Sequence, residues 1–291
     1  MAVVSIVTPS LNSAAFIGET LESIASQDYP HIEHIVVDGG STDRTKEIVA
    51  RYPSVRLLTG KDRGAADAIN RGFEESRGVY FNYVNSDDVL LPGAIRTMVH
   101  ALEQAPECAG VYGSAQWIDE KGKRITAYPV GEFDVRALSS ECFICQPASL
   151  LRSSAFKKVG GLNASYDLTF DYEFWMRLSK NHKLKRIAQE VAYSRMHHSN
   201  KSLGKRGDVF RETFQVLREH YGYVPFRWVL AEACYQADGR DQFFEPMHPT
   251  LARYLESLPL GLSANPDARG RYLAEWLNFP NWRRVKQHVI G

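Results

Sequence analysis

Residues 5–45 read SIVTPSLNSAAFIGETLESIASQDYPHIEHIVVDGGSTDRT and decide the fold. Two short β-branched runs, at 3–9 and 32–38, enclose a segment whose apolar side chains recur at helical spacing. A strand, a helix and a second strand in this order are typical of a parallel βαβ unit. The same alternation continues to about residue 88. We therefore predict an α/β domain with a largely parallel central sheet.

Polar residues stand at the ends of three of these strands. The first strand ends in TPSLN (8–12), the second in DGGS (38–41) and the fourth in NSDD (85–88). Ligands of open α/β sheets bind beyond the carboxyl ends of the strands, so adjacent strands would bring these carboxylates into one crevice. Clustered carboxylates repel one another unless a cation is present, and Mg²⁺ or Mn²⁺ prefers oxygen ligands. Mg²⁺ completes its shell with water and substrate phosphates, which indicates a nucleotide diphosphate.

A second interpretation of the NSDD run is structural. Asp87 and Asp88 would then cap a helix that begins in LLPGAI (90–95), since aspartate is a favoured cap and proline suits a first turn. Gly39 and Gly40 likewise fit either a close backbone approach to a ligand or a tight turn between strand and helix.

Composition excludes several classes of protein. The chain has 291 residues, 44% hydrophobic and 24% charged, which is typical of a globular protein. Lys and Arg number 35 against 34 Asp and Glu, so no basic field favours nucleic acid as a partner. Neither G-x-G-x-x-G after a strand nor G-x-x-x-x-G-K-[ST] occurs, which argues against Rossmann dehydrogenases and P-loop enzymes. The lack of a basic amino-terminal segment, of a membrane-spanning run and of a cysteine framework predicts a cytoplasmic location.

Beyond residue 105 the pattern loosens. We predict strands at 110–119 and 142–151, a helix at 166–180, and a helical extension after residue 204. The expected domains are an α/β domain at 1–204, with one half to about 105 and another from 106, and an extension at 205–291. The C-X-X-C of Cys142 and Cys145 is interpreted as two packing cysteines.

Six blocks of the chain together resemble the family 2 glycosyltransferases. In order they are the stretch at 5–45, DRGAADAINRGF (62–73), VNSDDVLLPGAI (84–95), CQPASLLRSSAFKKVGGL (145–162), FDYEFWMRL (170–178) and RMHHSNKS (195–202). The resemblance implies the A-type glycosyltransferase fold, with a Rossmann-like, mostly parallel sheet flanked by helices and a helical C-terminal extension. It also implies that 1–204 is the catalytic domain, with a nucleotide-sugar half to about 105 and an acceptor half from 106.

The resemblance also implies residue roles. Asp171 would be the catalytic base, and Asp88 and His197 would bind Mn²⁺ or Mg²⁺, with His198 as an alternative to His197. Asn70 and Gln146 would line the donor or acceptor site. Nucleotide and donor binding is implied for Pro9, Ser10, Asn12, Asp38, Arg63, Asp67, Asn85 and Asp87.

The implied reaction is inverting sugar transfer from a nucleotide-diphosphate donor, with UDP as the expected carrier, to a hydroxyl of a saccharide or lipid-linked saccharide. One base and one stabiliser of the leaving group suffice for this chemistry. Glu173 is a rival base, but it cannot face the same pocket as Asp171 because helical neighbours two positions apart diverge. The alternatives are a silent nucleotide-sugar-binding module and a glycoside hydrolase, which would use two carboxylates without a metal.

The C-terminal extension leaves two interpretations open. Residues 271–290 mix tryptophans with basic residues, as does a helix on an anionic membrane surface. That interpretation predicts peripheral contact with the inner face of the membrane, whereas the alternative is helices packed on the core or against a second subunit of a homo-oligomer.

Overall fold

The computed structural model describes residues 3–239 and 249–278. These residues divide into two compact units, of which the first holds those of 1–135 and 142–197 and the second those of 136–141 and 198–291. The division of the chain at residue 204 stays a prediction.

The first unit alternates strands and helices. Its helices are α1 (Ile17–Ala25), α2 (Thr45–Val49), α3 (Ala65–Glu74), α4 (Ala94–Glu103), α5 (Ser153–Lys158) and α6 (Phe170–Ser179). Its strands are β1 (Val4–Ser10), β2 (Ile32–Asp38), β3 (Val55–Thr59), β4 (Tyr80–Tyr83), β5 (Val89–Leu90), β6 (Cys108–Ile118), β7 (Arg124–Ala127), β8 (Ser149–Arg152) and β9 (Lys183–Arg195).

One sheet joins these strands in the order β3-β2-β1-β4-β8-β6-β9-β5, with β7 on β6. The β3-β2-β1-β4 half is parallel, as predicted. The other half is mixed, because β8 runs antiparallel to both β4 and β6, whereas β6 and β9 are parallel. Parallel pairing of β1 with β2 sets Ser10 beside Asp38. The polar strand ends predicted from the sequence therefore lie at one edge of the sheet.

Burial explains why β1 is central. All seven of its residues are buried, as expected of a parallel strand covered on both faces. On one face Phe73, Phe81 and Phe156 pack together, with the first two rings stacked at 4.2 Å. Helix α3 lies close to the sheet here because Gly72 has no side chain, and a Cβ on it would come within 2.6 Å of Val7.

Two segments differ from the sequence-based predictions. Residues 142–151 were predicted as one strand, but a 3-10 helix at Gln146–Ala148 precedes the short β8. Pro147 explains this, since a proline lacks the amide hydrogen that a central strand needs. The 13-residue β9 was not predicted at all, because its apolar side chains follow neither a strict helical nor a strict strand period.

The described part of the second unit is helical. It contains a 3-10 helix at Ala137–Ser139 and the helices α7 (Lys201–Gly204), α8 (Arg206–Tyr221), α9 (Phe226–Asp238), α10 (Leu251–Ala264) and α11 (Arg269–Trp276). The side chain of Asn265, which follows α10, accepts from the Val224 amide and donates to the Val224 carbonyl. These bonds join the end of α10 to the loop between α8 and α9.

Within the described ranges, no helix has both the length and the apolar character that crossing a membrane requires. The proposed membrane-binding segment at 271–290 lies outside the described residues from position 279 onward.

Candidate active site

The loops that follow β1 and β2 are joined by hydrogen bonds. Asn12, with a left-handed φ of 52°, accepts from the Thr42 amide at 2.9 Å through its side-chain oxygen. Its own amide donates to the Ser41 hydroxyl at 2.8 Å. Asn12, which is predicted to border the nucleotide pocket, therefore holds these two loops together.

Two buried polar atoms lie unpaired at the paired ends of these strands. Asp38 accepts from the amides of Gly40 and Ser41 through Oδ1, but its Oδ2 has no hydrogen-bond partner. The hydroxyl of Ser10, its neighbour across the strands, is likewise buried without a partner. A buried polar atom without a partner is costly, so these two atoms are candidates for ligand recognition. Pro9, which precedes Ser10, is buried in β1.

Arg63 and Asp67, two of the residues predicted to bind the donor, form an exposed ion pair. Arg63 donates to Asp67 in the first turn of α3 at 2.7 Å, and its amide donates to the same carboxylate. Hydrogen bonds from Arg63 lower the pKa of Asp67. The Asp62 carboxylate lies against Gly39, where a Cβ would approach within 2.7 Å of Oδ2. Gly39 thus permits a close approach next to Asp38, but the group that approaches is the Asp62 side chain and not a ligand.

Asp88 is buried, and both of its oxygens accept hydrogen bonds. Oδ1 accepts from the Arg195 amide at 2.9 Å and Oδ2 from the side chain of Asn85 at 3.1 Å. Burial, and after it the negative charge of Asp87, raise the pKa of Asp88 well above its ordinary value. The interpretation of the two aspartates as helix caps is wrong, because α4 begins at Ala94 with Gly93 at its N-cap.

Asp87 is more exposed and pairs with a histidine. Its Oδ2 lies 2.9 Å from Nε2 of His197, which β9 brings to the site. His197 is thus the histidine that meets the strand-end carboxylates, whereas the side chain of His198 is exposed.

Asp171 lies in the first turn of α6. Burial raises its pKa to about 6, against the opposing effect of backbone hydrogen bonds. Its charge reaches Tyr83 at the end of β4, whose pKa is raised by burial first and then by Asp171 and Asp88, among others. The pKa of Cys145 is raised by burial and by the same two carboxylates. Asp171 and Asp88 therefore approach a common region from different elements.

Glu173, the rival base, is held by another partner. Arg177 contacts both of its carboxylate oxygens, at 2.8 and 2.7 Å. The aromatic residues next to it on α6, Tyr172, Phe174 and Trp175, are buried in the core. Of the two carboxylates on α6, Glu173 is therefore the one paired with a cationic side chain, whereas Asp171 accepts from the Tyr172 amide.

Two residues assigned to the site wall also contact the backbone. The side chain of Asn70 bonds the backbone of Leu162, donating to its carbonyl at 2.7 Å and accepting from its amide at 2.8 Å. Gln146 donates to the carbonyl of Tyr83, and its Oε1 is buried without a partner. Sequence reasoning missed Tyr83, whose hydroxyl is also buried and unpartnered. Its position directly before Val84 and the NSDD run was the available signal.

The side chains present could supply only some of the ligands of a divalent cation. Among the residues that the structure describes, no group of three or more His, Cys, Asp and Glu side chains is arranged to hold a metal. Asp87 and His197 offer one oxygen and one nitrogen 2.9 Å apart. This pair suits an ion that takes its remaining ligands from water and a diphosphate.

Comparisons with known proteins identify the family of the chain. The family model described as glycosyl transferase family 2 matches residues 5–160. Chondroitin synthase from Escherichia coli is 28% identical over 221 residues, which cover 74% of this chain and 32% of the synthase. The chain spans about a third of the length of several of the relatives it matches.

Solved structures show the fold. S. aureus TarS 1-349 in complex with UDP superposes with a TM-score of 0.61 at 17% identity, covering 99% of this chain and 83% of TarS 1-349. The mannosyltransferase PcManGT from Pyrobaculum calidifontis, in complex with GDP-Man and Mn²⁺, superposes with a TM-score of 0.60 at 18% identity, covering 99% and 85%. The family model covers more than half of the chain, so the protein belongs to glycosyl transferase family 2 and has the A-type glycosyltransferase fold.

Proposed function

We propose that the chain is an inverting, metal-dependent glycosyltransferase that moves a sugar from a nucleotide-diphosphate donor to a hydroxyl of a saccharide or lipid-linked saccharide. One observation carries the proposal. Asp171 and Asp88, which is the chain neighbour of Asp87, both raise the pKa of the buried Tyr83, so the proposed base and the donor side of the site would lie in one region. A silent binding module needs no base there, and a hydrolase needs no Asp–His pair.

UDP is the proposed carrier. TarS binds UDP and UDP-GlcNAc, and this supports a uridine nucleotide here. The unpaired Oδ2 of Asp38 would accept from the imide N–H of uracil, and Ser10 would supply a hydroxyl beside it. Binding would then satisfy two buried atoms that the free protein leaves unpaired.

Mn²⁺ or Mg²⁺ is the proposed cofactor, and we assign its ligands to Asp87 and His197 rather than to Asp88 and His197. Both oxygens of Asp88 already accept hydrogen bonds within the protein. A cation could lie between the Asp87 oxygen and the His197 nitrogen, in place of the hydrogen that they now share. When bound, the ion stabilises the negative charge that develops on the leaving diphosphate. Asn85 would hold Asp88 rather than contact the donor.

Asp171 is the proposed base. It would accept the proton of the acceptor hydroxyl as the oxygen attacks the anomeric carbon from the face opposite the diphosphate. A carboxylate with a pKa of about 6 is a stronger base than an exposed aspartate, yet it is ionised at neutral pH. Glu173 would keep α6 in place through Arg177.

Calorimetric titration tests the proposal. UDP and, for comparison, GDP are titrated with and without Mn²⁺ into the wild type, Asp87→Ala and Asp28→Ala. Asp28 is an exposed aspartate paired with Arg96 away from the crevice, so its variant should bind as the wild type does. We expect Mn²⁺-dependent binding of UDP that only Asp87→Ala abolishes. Failure of both nucleotides to bind would refute the proposal, and binding without any turnover of UDP-sugars would favour the silent module.

A further inference from the structure

Arg195, at the end of β9, is an arginine that is almost completely buried. Its side chain is 1% exposed, whereas arginine is seldom fully buried unless it is paired. The guanidinium donates to the carbonyl of Asp87 at 2.9 Å and to the carbonyl of Asp119 at 3.1 Å. It also reaches the carboxylate of Glu19 at 2.5 Å. These three contacts come from three separate segments of the first unit.

The backbone of the same residue contacts the second aspartate. The amide of Arg195 donates to Oδ1 of Asp88 at 2.9 Å. The amide of the next residue, Met196, donates to the carbonyl of Ile118 at 2.8 Å, which anchors this end of β9 on β6. One residue therefore holds both members of the Asp87-Asp88 run, one through its side chain and one through its backbone.

Phe16 connects the guanidinium to the histidine. The guanidinium carbon of Arg195 lies 5.2 Å from the centre of the Phe16 ring. The same ring lies 4.6 Å from the imidazole of His197. A cation over an aromatic face is attracted to it, so the position of Phe16 depends on Arg195. The imidazole of His197 therefore packs against the Phe16 ring, whose position Arg195 restricts.

We infer that Arg195 is a positioning residue for the Asp87–His197 pair. It fixes the main chain of Asp87, and through Phe16 it restricts the imidazole, so that the oxygen and nitrogen converge. Its fixed positive charge also offsets the repulsion between two adjacent carboxylates. Lysine would not substitute for it, because an ammonium lacks the planar fork that reaches several carbonyls at once. This inference rests on the proposed function.

The test measures Mn²⁺ binding rather than turnover. Electron paramagnetic resonance of free Mn²⁺ gives the affinity of the wild type, Arg195→Lys and Arg152→Lys, with and without UDP. Arg152 is the matched control, because its guanidinium also donates to backbone carbonyls, those of Cys108 and Leu102, but at the β8–β4 pairing near the start of β4. We expect Arg195→Lys to bind Mn²⁺ about tenfold more weakly or worse, and Arg152→Lys to bind as the wild type does.

Each outcome has a distinct meaning. A folded Arg195→Lys with wild-type Mn²⁺ affinity would overturn the inference, and so would an equal loss in Arg152→Lys. Should Arg195→Lys not fold, Phe16→Leu keeps an apolar side chain and removes only the ring contact. Its Mn²⁺ affinity should fall about twofold to fivefold, and an unchanged affinity would again overturn the inference. If the wild type itself bound neither Mn²⁺ nor UDP, the proposed function would fail first.

Discussion

Burial outweighs helix electrostatics at Asp171. A carboxylate in the first turn of a helix is normally stabilised in its ionised form by the helix dipole. Asp171 occupies such a position and its Oδ1 accepts from the Tyr172 amide at 2.7 Å, which lowers the pKa. Removal from water nevertheless raises the pKa to about 6. The residue therefore titrates close to neutral pH, where a general base is most effective.

The first prediction concerns the pH dependence of transfer. Because Asp171 must be ionised to accept a proton, the rate should rise with pH through about 6 and then level off. Asp171→Asn should lower the rate by about 10²–10⁴-fold and remove this inflection. Its UDP affinity, measured by calorimetry, should stay unchanged. A rate that keeps its inflection near pH 6 in the variant would assign the base elsewhere.

The second prediction concerns stability. With a pKa of about 6 in the folded protein, Asp171 holds its proton more tightly there than in the unfolded chain. The stability that this provides is complete below about pH 4 and is lost as the pH rises through about 6. Asp171→Asn should therefore be more stable than the wild type by up to about 3 kcal/mol at pH 8, and hardly different at pH 4.

Urea unfolding at the two pH values measures this difference. Asp43→Asn is the control of opposite sign, because hydrogen bonding by Thr45 lowers the pKa of Asp43. That variant should lose stability relative to the wild type as the pH rises. A stability gain of Asp171→Asn that is the same at pH 4 and pH 8 would show that charge is not its cause.

At the scale of single elements, the two carboxylates of α6 have different contacts. Glu173 and Arg177 lie one helical turn apart and form a bidentate pair, and Arg177 also donates to the carbonyl of Val159. Asp171, two positions before Glu173, points elsewhere on the helix. Glu173 thus forms an ion pair within α6, whereas Asp171 lies near Tyr83.

Glu173→Gln should therefore destabilise the protein without removing the chemistry. Loss of one partner of a fully buried ion pair costs about 3–5 kcal/mol, and we expect about 2 kcal/mol here because Arg177 retains partial contact with water. Chemical denaturation measures the loss, and transfer at saturating donor should remain. Glu47→Gln, which breaks the exposed Arg44–Glu47 pair, should change stability by less than about 1 kcal/mol. A Glu173→Gln variant that is stable but inactive would make Glu173 the base.

Contact between α3 and the sheet gives a steric prediction. In Gly72→Ala the new methyl would lie 2.6 Å from Val7 Cγ1 and 3.1 Å from Val37 Cγ2. Overpacking should outweigh the gain in helix propensity, for a net loss of about 1–2 kcal/mol. Gly18→Ala in α1 is the control, since its methyl would meet Ile48 at an ordinary 3.7 Å. That variant should gain about 0.5–1 kcal/mol in thermal unfolding, and equal effects of the two substitutions would contradict the packing argument.

At the scale of the whole molecule, positive and negative charges are balanced. Lys and Arg number 35 against 34 Asp and Glu, so no long-range field attracts an anionic ligand. The proposed binding therefore depends on local groups, namely the unpaired polar atoms of Asp38 and Ser10 and the Asp87–His197 pair. A cation is therefore expected to be necessary before a diphosphate can approach these carboxylates.

Thermal unfolding should report this requirement. UDP with Mn²⁺ should raise the melting temperature, with a stabilisation of about 2.7 kcal/mol at a ligand concentration of 100 times Kd. UDP without Mn²⁺ should raise it far less, because the aspartates repel the diphosphate. Uridine, which lacks phosphates, should show no dependence on Mn²⁺. Equal shifts for UDP with and without Mn²⁺ would contradict the assigned metal role.

Local sequence pattern was sufficient for the parallel half of the sheet. Strands β1, β2 and β4 and their polar ends follow from β-branched runs and from residues that break them, and these are short-range signals. The choice of Asp171 over Glu173 as base also came from the sequence and stays a prediction. Helical geometry already separates the two residues, and Arg177, which engages Glu173, lies only four positions further along the chain.

Only the tertiary structure decided the partners of the site residues. Asp88 meets the Arg195 amide across 107 positions, Asp87 meets His197 across 110, and Asn70 meets Leu162 across 92. Strand β9, which carries Arg195, has no clear period because its pairing with β6 shifts register at several points. The sequence thus determined which polar groups end the strands, since that depends on neighbours a few residues away. Which of those groups are engaged within the protein and which remain for a ligand depends on chain segments that only folding brings together.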